Sequence, residues 1–147
     1  MTLTGTLRVP LPSDEAFRLF TARGERDWVD GWEPHFPDQV DDDATVGTVF
    51  ETGTGGHHAT WIVTDRDGHR RIRYARVTAG RDAGTVEVTL APAREDTEVT
   101  VTYRLTALTP EGAEWLGTFA AGYPEFLRSW ESAIADFLHR HDRGTAR

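Results

Sequence analysis

The sequence predicts an α+β fold, in which a curved antiparallel sheet of about six to seven strands packs against a long C-terminal helix. Two observations carry this prediction. Apolar residues alternate with period two across residues 39–107, and from residue 109 onward they recur every three or four positions. One strand and two short helices are expected before this region. No repeat or linker divides the sequence, so residues 1–147 are expected to form a single domain.

The N-terminal part contains the first strand and the two short helices. Residues 3–9 alternate in polarity, which is typical of a strand. Ser13 is the expected N-cap of a helix over residues 14–22. A second short helical segment is predicted over residues 25–29, and Gly31 with the prolines after it ends that segment.

The strands of the sheet are predicted from alternating segments bounded by turn-forming residues. The last is the clearest, because odd-numbered residues from Val99 to Ala107 are apolar or aromatic and the even-numbered ones are threonine or arginine. One face of the sheet is therefore buried and the other meets water. The predicted strands cover residues 39–41, 46–52, 58–65, 71–79, 85–91 and 98–107.

The C-terminal helix has a clear start and an internal irregularity. Thr109 is the expected N-cap and Pro110 the first helical residue. Apolar residues then follow helical spacing as far as Phe137. A kink is expected at Pro124, because proline has no N–H to donate and its ring clashes with the preceding turn.

Composition excludes most covalent catalysis and several classes of partner. The 147 residues include no cysteine, and all 16 basic residues are arginine. There is therefore no thiol nucleophile, thiolate ligand or Schiff-base lysine, and we expect no cofactor and no metal. The net charge of −8 argues against nucleic acid. The absence of a long apolar run argues against membrane insertion, so a cytoplasmic protein is expected.

Five segments carry a family resemblance that extends over nearly the whole chain. They are E-R-D-W-V-D-G-W-E-P (25–34), G-T-V-F (47–50), A-T-W-I-V-T (59–64), R-Y-A-R-V-T (73–78) and V-T-Y-R-L-T-A-L-T-P-E-G (101–112). In these segments the chain resembles the START-like, or SRPBCC, superfamily, and especially its bacterial polyketide cyclase/dehydrase-like members of unassigned function. The resemblance implies the helix-grip fold, with a sheet wrapped around the long helix. It also implies a cavity between them, which usually holds a lipid or another apolar or aromatic molecule.

One arginine and ten aromatic side chains are the candidate ligand-binding residues. Tyrosine and tryptophan combine a large apolar surface with a polar group that orients a ligand. For each aromatic residue the alternative is that it simply fills the core. The candidates are Trp28, Trp32, Phe36, Phe50, Trp61, Tyr74, Arg76, Tyr103, Phe119, Tyr123 and Trp130.

Arg76 and the His57-His58 pair need separate treatment. Arg76 shares strand parity with Tyr74, so it either anchors an anionic ligand inside or, if a bulge intervenes, points to solvent. His57 and His58 are neighbours on a strand and point to opposite faces, which argues against a metal site. A general base at His57, facing a cavity mouth, is a weaker hypothesis.

Three functions remain open at this level. The leading one is non-covalent binding of a small hydrophobic or aromatic molecule by a monomer or homodimer. The second is a cyclase- or dehydrase-type enzyme that uses a general acid or base in the same cavity, which no sequence feature assigns to one residue. The third is a co-chaperone-like interaction protein, which predicts an exposed apolar patch.

Overall fold

In the computed structural model, six antiparallel strands within the described residues, 1–54 and 57–145, form one curved sheet. For residues 54, 57 and 142–145 the description covers the backbone only. The strands are β1 (Thr2–Val9), β2 (Val49–Thr54), β3 (His57–Asp67), β4 (Arg71–Thr78), β5 (Asp82–Ala93) and β6 (Asp96–Ala107). Their order across the sheet is β1-β6-β5-β4-β3-β2.

The described helices lie before and after the strands β2 to β6, as predicted. They are α1 (Ser13–Arg18), a 3-10 helix (Gly24–Asp27), α2 (Pro110–Ala121) and α3 (Tyr123–Thr145). The α+β class and the helix-grip arrangement are therefore confirmed.

The strand predicted at residues 39–41 is wrong, because this segment is an irregular loop. A side chain occupies its backbone acceptors instead of a neighbouring strand. The Arg23 guanidinium donates to the carbonyls of Val40 and Asp41 and lies over the ring of Phe36. This arginine attaches the loop to the segment between α1 and the 3-10 helix.

The first helix is shorter than predicted, and Ser13 does not cap it. The backbone carbonyl of Pro12 accepts from the N–H groups of the first turn, while the Ser13 hydroxyl lies 3.1 Å from that of Thr97 on β6. The helix ends at Arg18, whose carbonyl accepts a hydrogen bond from the Thr21 hydroxyl at 3.2 Å. Tertiary and local side-chain bonds thus replace the expected cap and last turn.

The C-terminal helix begins as predicted and is interrupted close to the predicted kink. The Thr109 hydroxyl accepts from Gly112 N at 3.0 Å, which is an N-cap bond. α2 ends at Ala121, Gly122 follows as its C-cap, and Pro124 lies in the first turn of α3. The irregularity therefore divides the helix into two.

The core lies between the inner face of the sheet and the helices. α3 approaches β1 closely at Gly5, where an added Cβ would collide with the Leu127 side chain. The Tyr123 hydroxyl donates to the Val101 carbonyl on β6 at 2.7 Å. Ile134 is also buried, so α3 is attached to the sheet along several of its turns.

Strand parity places the candidate residues on the inner face. Along β4, burial alternates so that Ile72, Tyr74, Arg76 and Thr78 are inside. The sheet contains a bulge between Val63 and Asp65, but this lies on β3 and leaves the alternation of β4 intact.

Candidate ligand-binding site

All ten predicted aromatic residues belong to two groups of touching rings rather than to the wall of one cavity. The first group is carried by β2, β3, β4 and the loop before β2, and it contains Trp32, Phe36, Phe50, Trp61 and Tyr74. The second is carried mainly by β6, α2 and α3, and it contains Phe20, Trp28, Tyr103, Trp115, Phe119, Tyr123, Phe126 and Trp130. Core filling, the alternative considered for each residue, is consistent with much of this packing.

The first group is organised by the register of the sheet. Phe50 on β2 is opposite Trp61 on β3, and their rings stack at a centroid distance of 5.6 Å. Trp32 meets Trp61 edge-on at 5.6 Å, and its indole nitrogen donates to the Ala22 carbonyl at 2.7 Å. Trp32 is only partly buried, so this group extends from the core to the surface.

Arg76 lies between the two groups. It is opposite Trp61 in the β3–β4 register, and its guanidinium carbon is 5.5 Å from the centre of the Trp61 ring and 5.8 Å from that of Tyr103. Only 7% of the residue is exposed. The structure thus answers the question of orientation that the sequence left open, because Arg76 faces the interior between two aromatic surfaces.

A buried carboxylate accounts for part of the charge on Arg76. Asp82 at the start of β5 is fully buried, and its Oδ1 accepts from Arg76 Nη2 at 2.8 Å. Its Oδ2 accepts from Arg81 Nε, also at 2.8 Å. Arg81 is half-buried and lies 3.7 Å over the ring of Trp115. Two guanidinium groups therefore share one carboxylate, which leaves this cluster with a net charge of about +1.

A pocket of about 200 Å³ opens beside this cluster and is called the Arg76 pocket below. Its wall combines apolar, hydroxyl and cationic side chains. The lining residues are Trp32, Thr52, Ala59, Trp61, Arg76, Thr78 and Arg81. Three of the eleven predicted residues thus line one pocket, whereas Trp28 and Trp130 line a separate groove of about 330 Å³ between the segment after the 3-10 helix and α3.

Two polar groups of the Arg76 pocket are buried without a hydrogen-bond partner among the described residues. They are Nε of Arg76 and the hydroxyl of Thr78, a residue only 1% exposed. A buried polar group without a partner costs roughly 1–3 kcal/mol, so native proteins contain few of them. Thr78 was missed by the sequence analysis, although it shares the strand parity of Arg76.

Glu25 was also missed as a site residue. It is a partly buried residue of the 3-10 helix, and its charge raises the pKa of Tyr74 and Tyr103. Burial, together with the negative charge of Asp43, raises the pKa of Glu25 well above its ordinary value. No sequence pattern pointed to it, because a glutamate in a short polar helix is ordinarily a surface residue.

The interior tyrosines are held in the neutral form. Burial raises the pKa of both Tyr74 and Tyr103 well above the ordinary value, and the Arg76 charge opposes this only partly at Tyr103. The Tyr74 hydroxyl donates to the Phe20 carbonyl at 2.9 Å. These phenols are therefore suited to donate hydrogen bonds rather than to accept a proton.

The sequence analysis also considered metal ligands, a histidine general base and membrane insertion. Among the described residues, no group of three or more histidine, aspartate or glutamate side chains could hold a metal ion. The proposed general base His57 lies outside the described side chains. None of the described helices is both long and apolar enough to cross a membrane.

A curved antiparallel sheet packed against a C-terminal helix pair is the helix-grip fold of START-like proteins, and the comparisons with known proteins agree. Residues 10–135 match the family described as Activator of Hsp90 ATPase homolog 1-like protein. Because this match covers most of the chain, the protein belongs to that family, and the predicted superfamily is confirmed. Among curated proteins, no sequence match was found.

Solved structures show the same fold. A protein from Mesorhizobium loti is 17% identical with a TM-score of 0.70, over 92% of this chain and 98% of that one. Norcoclaurine synthase from Thalictrum flavum is 14% identical with a TM-score of 0.64, over 94% and 92%. DynU16, from the dynemicin biosynthetic locus, is 21% identical with a TM-score of 0.65, and this chain spans 47% of its length. At these identities the similarity establishes the fold alone.

Proposed function

We propose that this protein binds a small aromatic molecule in the Arg76 pocket. The observation that carries the proposal is the wall of that pocket, where the indole rings of Trp32 and Trp61 lie beside a buried guanidinium. Ligand sites typically combine aromatic walls with a few polar groups that fix orientation. The pocket, at about 200 Å³, is smaller than the roughly 300–1,000 Å³ that drug-sized ligands occupy, so a one-ring molecule is the best match.

A titration with one-ring probes tests this proposal. Benzoate, benzamide and phenol are added separately, and binding is followed by tryptophan fluorescence and calorimetry. We expect at least one probe to bind, and Trp32→Ala to weaken binding about tenfold or more because it removes one wall. Trp130→Phe is the matched control, since Trp130 lines the other groove. Failure of all three probes to bind would contradict the proposal.

Native mass spectrometry then identifies the natural ligand. The protein is purified from its own host without denaturation, and its mass is compared with that of the Trp32→Ala variant. A retained small molecule that is lost in the variant supports binding in this pocket. If the wild type and the variant retain the molecule equally, the ligand binds elsewhere.

The second candidate function is catalysis, and the raised pKa of the partly buried Glu25 favours it. A cyclase or dehydrase reaction needs a general acid or base whose pKa is shifted toward neutrality. The pKa of Glu25 is raised, and its charge in turn raises the pKa of Tyr74. In this case the molecule recovered from the host is chemically changed on incubation with the protein, and Glu25→Gln abolishes the change while retaining binding.

The third candidate function is an interaction with an Hsp90-type chaperone, because the family is described as Activator of Hsp90 ATPase homolog 1-like protein. Val49, Ile62 and Val77 are exposed and lie on the outer face of adjacent strands β2, β3 and β4. Together they form an apolar patch, defined here as the outer-face patch. Stimulation of Hsp90 ATPase activity that is lost when the three residues are changed to threonine would support this function.

A further inference from the structure

We infer that the ligand of the Arg76 pocket is a monoanion, specifically a one-ring aromatic carboxylate. This inference rests on the proposed function, because it specifies the chemical class of the ligand in that pocket. It is carried by two independent features of the wall. One is the pair of buried polar groups without partners, and the other is the imbalance of charge around them.

The two partnerless groups are both donors and come from the same face of one strand. Arg76 and Thr78 are two residues apart on β4, so their side chains leave the same face of the strand about 7 Å apart at the backbone. Arg76 Nε can only donate a hydrogen bond, and the Thr78 hydroxyl can donate another. One carboxylate has two acceptor oxygens, one for each of these two donors.

The charge around the pocket favours an anion. Arg76 and Arg81 both line the wall, whereas Asp82 is fully buried behind them and uses its two oxygens on the two guanidiniums. Glu111, an exposed residue, lines a neighbouring pocket of about 390 Å³ with Arg81. The wall of the Arg76 pocket therefore presents two cations, and the Arg76–Arg81–Asp82 cluster has one positive charge in excess. One negative charge on the ligand would balance it.

The site is also rigid before any ligand enters. The Arg76 guanidinium is held between the rings of Trp61 and Tyr103 and bonded to Asp82, so little conformational freedom remains to be lost on binding. With the carboxylate on Arg76 Nε and Thr78, the ring of a one-ring acid would lie toward Trp61 and Trp32. A neutral molecule would fit the same space but would leave the excess charge unbalanced.

The test compares benzoate with benzamide, which has the same shape and no charge. We expect benzoate to bind at least tenfold more tightly. Arg76→Lys keeps a positive charge but removes Nε, and Thr78→Val removes the hydroxyl, so each should weaken benzoate binding roughly tenfold or more. Thr78→Ser keeps the hydroxyl, so it should bind benzoate more tightly than Thr78→Val does. Thr78→Val keeps the side-chain shape and breaks no bond within the protein, so it is expected to fold.

The possible outcomes separate this inference from the proposed function. Equal binding of benzoate and benzamide, or tighter binding of benzamide, overturns the inference but leaves aromatic binding intact. Tighter benzoate binding that neither Arg76→Lys nor Thr78→Val weakens also overturns it, because the anion then binds elsewhere. If phenol binds while benzoate and benzamide do not, the inference fails and the proposed function stands. If no probe binds at millimolar concentration, both fail.

Discussion

Asp82 determines how much positive charge the interior can hold. It is fully buried and is bonded to both Arg76 and Arg81. Removing one partner of a buried ion pair leaves an uncompensated charge in a medium that solvates it poorly. The short turn that leads into β5 therefore has an electrostatic role as well as a structural one.

Replacing this carboxylate is expected to destabilise the fold strongly. Asp82→Asn keeps the shape but removes the charge, so the free energy of unfolding should fall by about 3 kcal/mol or more. Urea denaturation measures it. Asp67→Asn is the matched control, because the Arg70–Asp67 pair is at the surface, with side chains 72% and 50% exposed, and should contribute less than about 1 kcal/mol. Equal losses in both variants would contradict this account.

Glu25 is expected to make stability depend on pH. Since its pKa is raised in the folded state, the folded protein holds this proton more tightly than the unfolded chain does. The resulting stabilisation is complete below the ordinary glutamate pKa of about 4.3 and is lost as pH rises through the raised value. Glu25→Gln does not titrate, so it should be increasingly more stable than the wild type from pH 4 to pH 8.

Urea denaturation at pH 4, 6 and 8 measures this difference. Glu15→Gln is the control, because Glu15 is an exposed residue in the first turn of α1. A difference between Glu25→Gln and the wild type that stays constant over this range would show that the Glu25 carboxyl titrates normally.

The contact of α3 with β1 depends on the absence of a side chain at Gly5. An added methyl group meets Leu127, so Gly5→Ala should cost about 1–3 kcal/mol, and Leu127→Ala about 2–5 kcal/mol. The double variant should cost less than the sum, because the smaller Leu127 side chain leaves room for the methyl group. Chemical denaturation of all three gives the coupling energy, and strict additivity would contradict the collision.

A second glycine is the control for the first. Gly117 lies on the exposed side of α2 with nothing near an added Cβ. Gly117→Ala should therefore stabilise the protein by roughly 0.5–1 kcal/mol, because alanine loses less conformational entropy in a helix. Opposite signs at the two positions would show that packing, not glycine content, determines the outcome.

The elements that could be predicted are those with a strong internal pattern. Alternation located the β3 to β6 strands, and Thr109 with Pro110 located the start of α2. The failures at residues 39–41, at Ser13 and at the end of α1 have one physical cause. In each case a side chain forms a hydrogen bond that the periodicity of the sequence does not indicate. The donors or partners are the Arg23 guanidinium, the Ser13 hydroxyl and the Thr21 hydroxyl.

The candidate site likewise contains residues that the sequence pattern could indicate and residues that it could not. Parity on β4 grouped Arg76 with Tyr74 but left the orientation of Arg76 open, and the same parity applies to Thr78, which was not considered. Asp82 and Glu25 are polar residues in or beside turns, and both the burial of Asp82 and the raised pKa of Glu25 follow only from tertiary packing. That the aromatic residues form two groups, with Arg76 between them, depends on strand register and helix placement, which a single sequence does not specify.

The whole molecule keeps its two candidate surfaces on opposite sides of one sheet. Side chains alternate along each strand, so Trp61 and Arg76 face inward while Ile62 and Val77 face outward. Substitutions that keep strand propensity on one face should leave the other unaffected. The proposed ligand binding and the proposed chaperone binding should therefore be separable by mutation, although both surfaces involve the same strands.

This separation predicts how ligand-linked stability responds to changes on each face. A ligand at 100 times its dissociation constant stabilises the folded state by about 2.7 kcal/mol, which corresponds to a Tm increase of roughly 5–10 °C for a domain of this size. The variant with threonine at 49, 62 and 77 should show the full increase with saturating benzoate. Thr78→Val, tested at the same benzoate concentration, should lose most of it. Differential scanning calorimetry measures both, and an equal loss in the two variants would mean that the faces are coupled through the sheet.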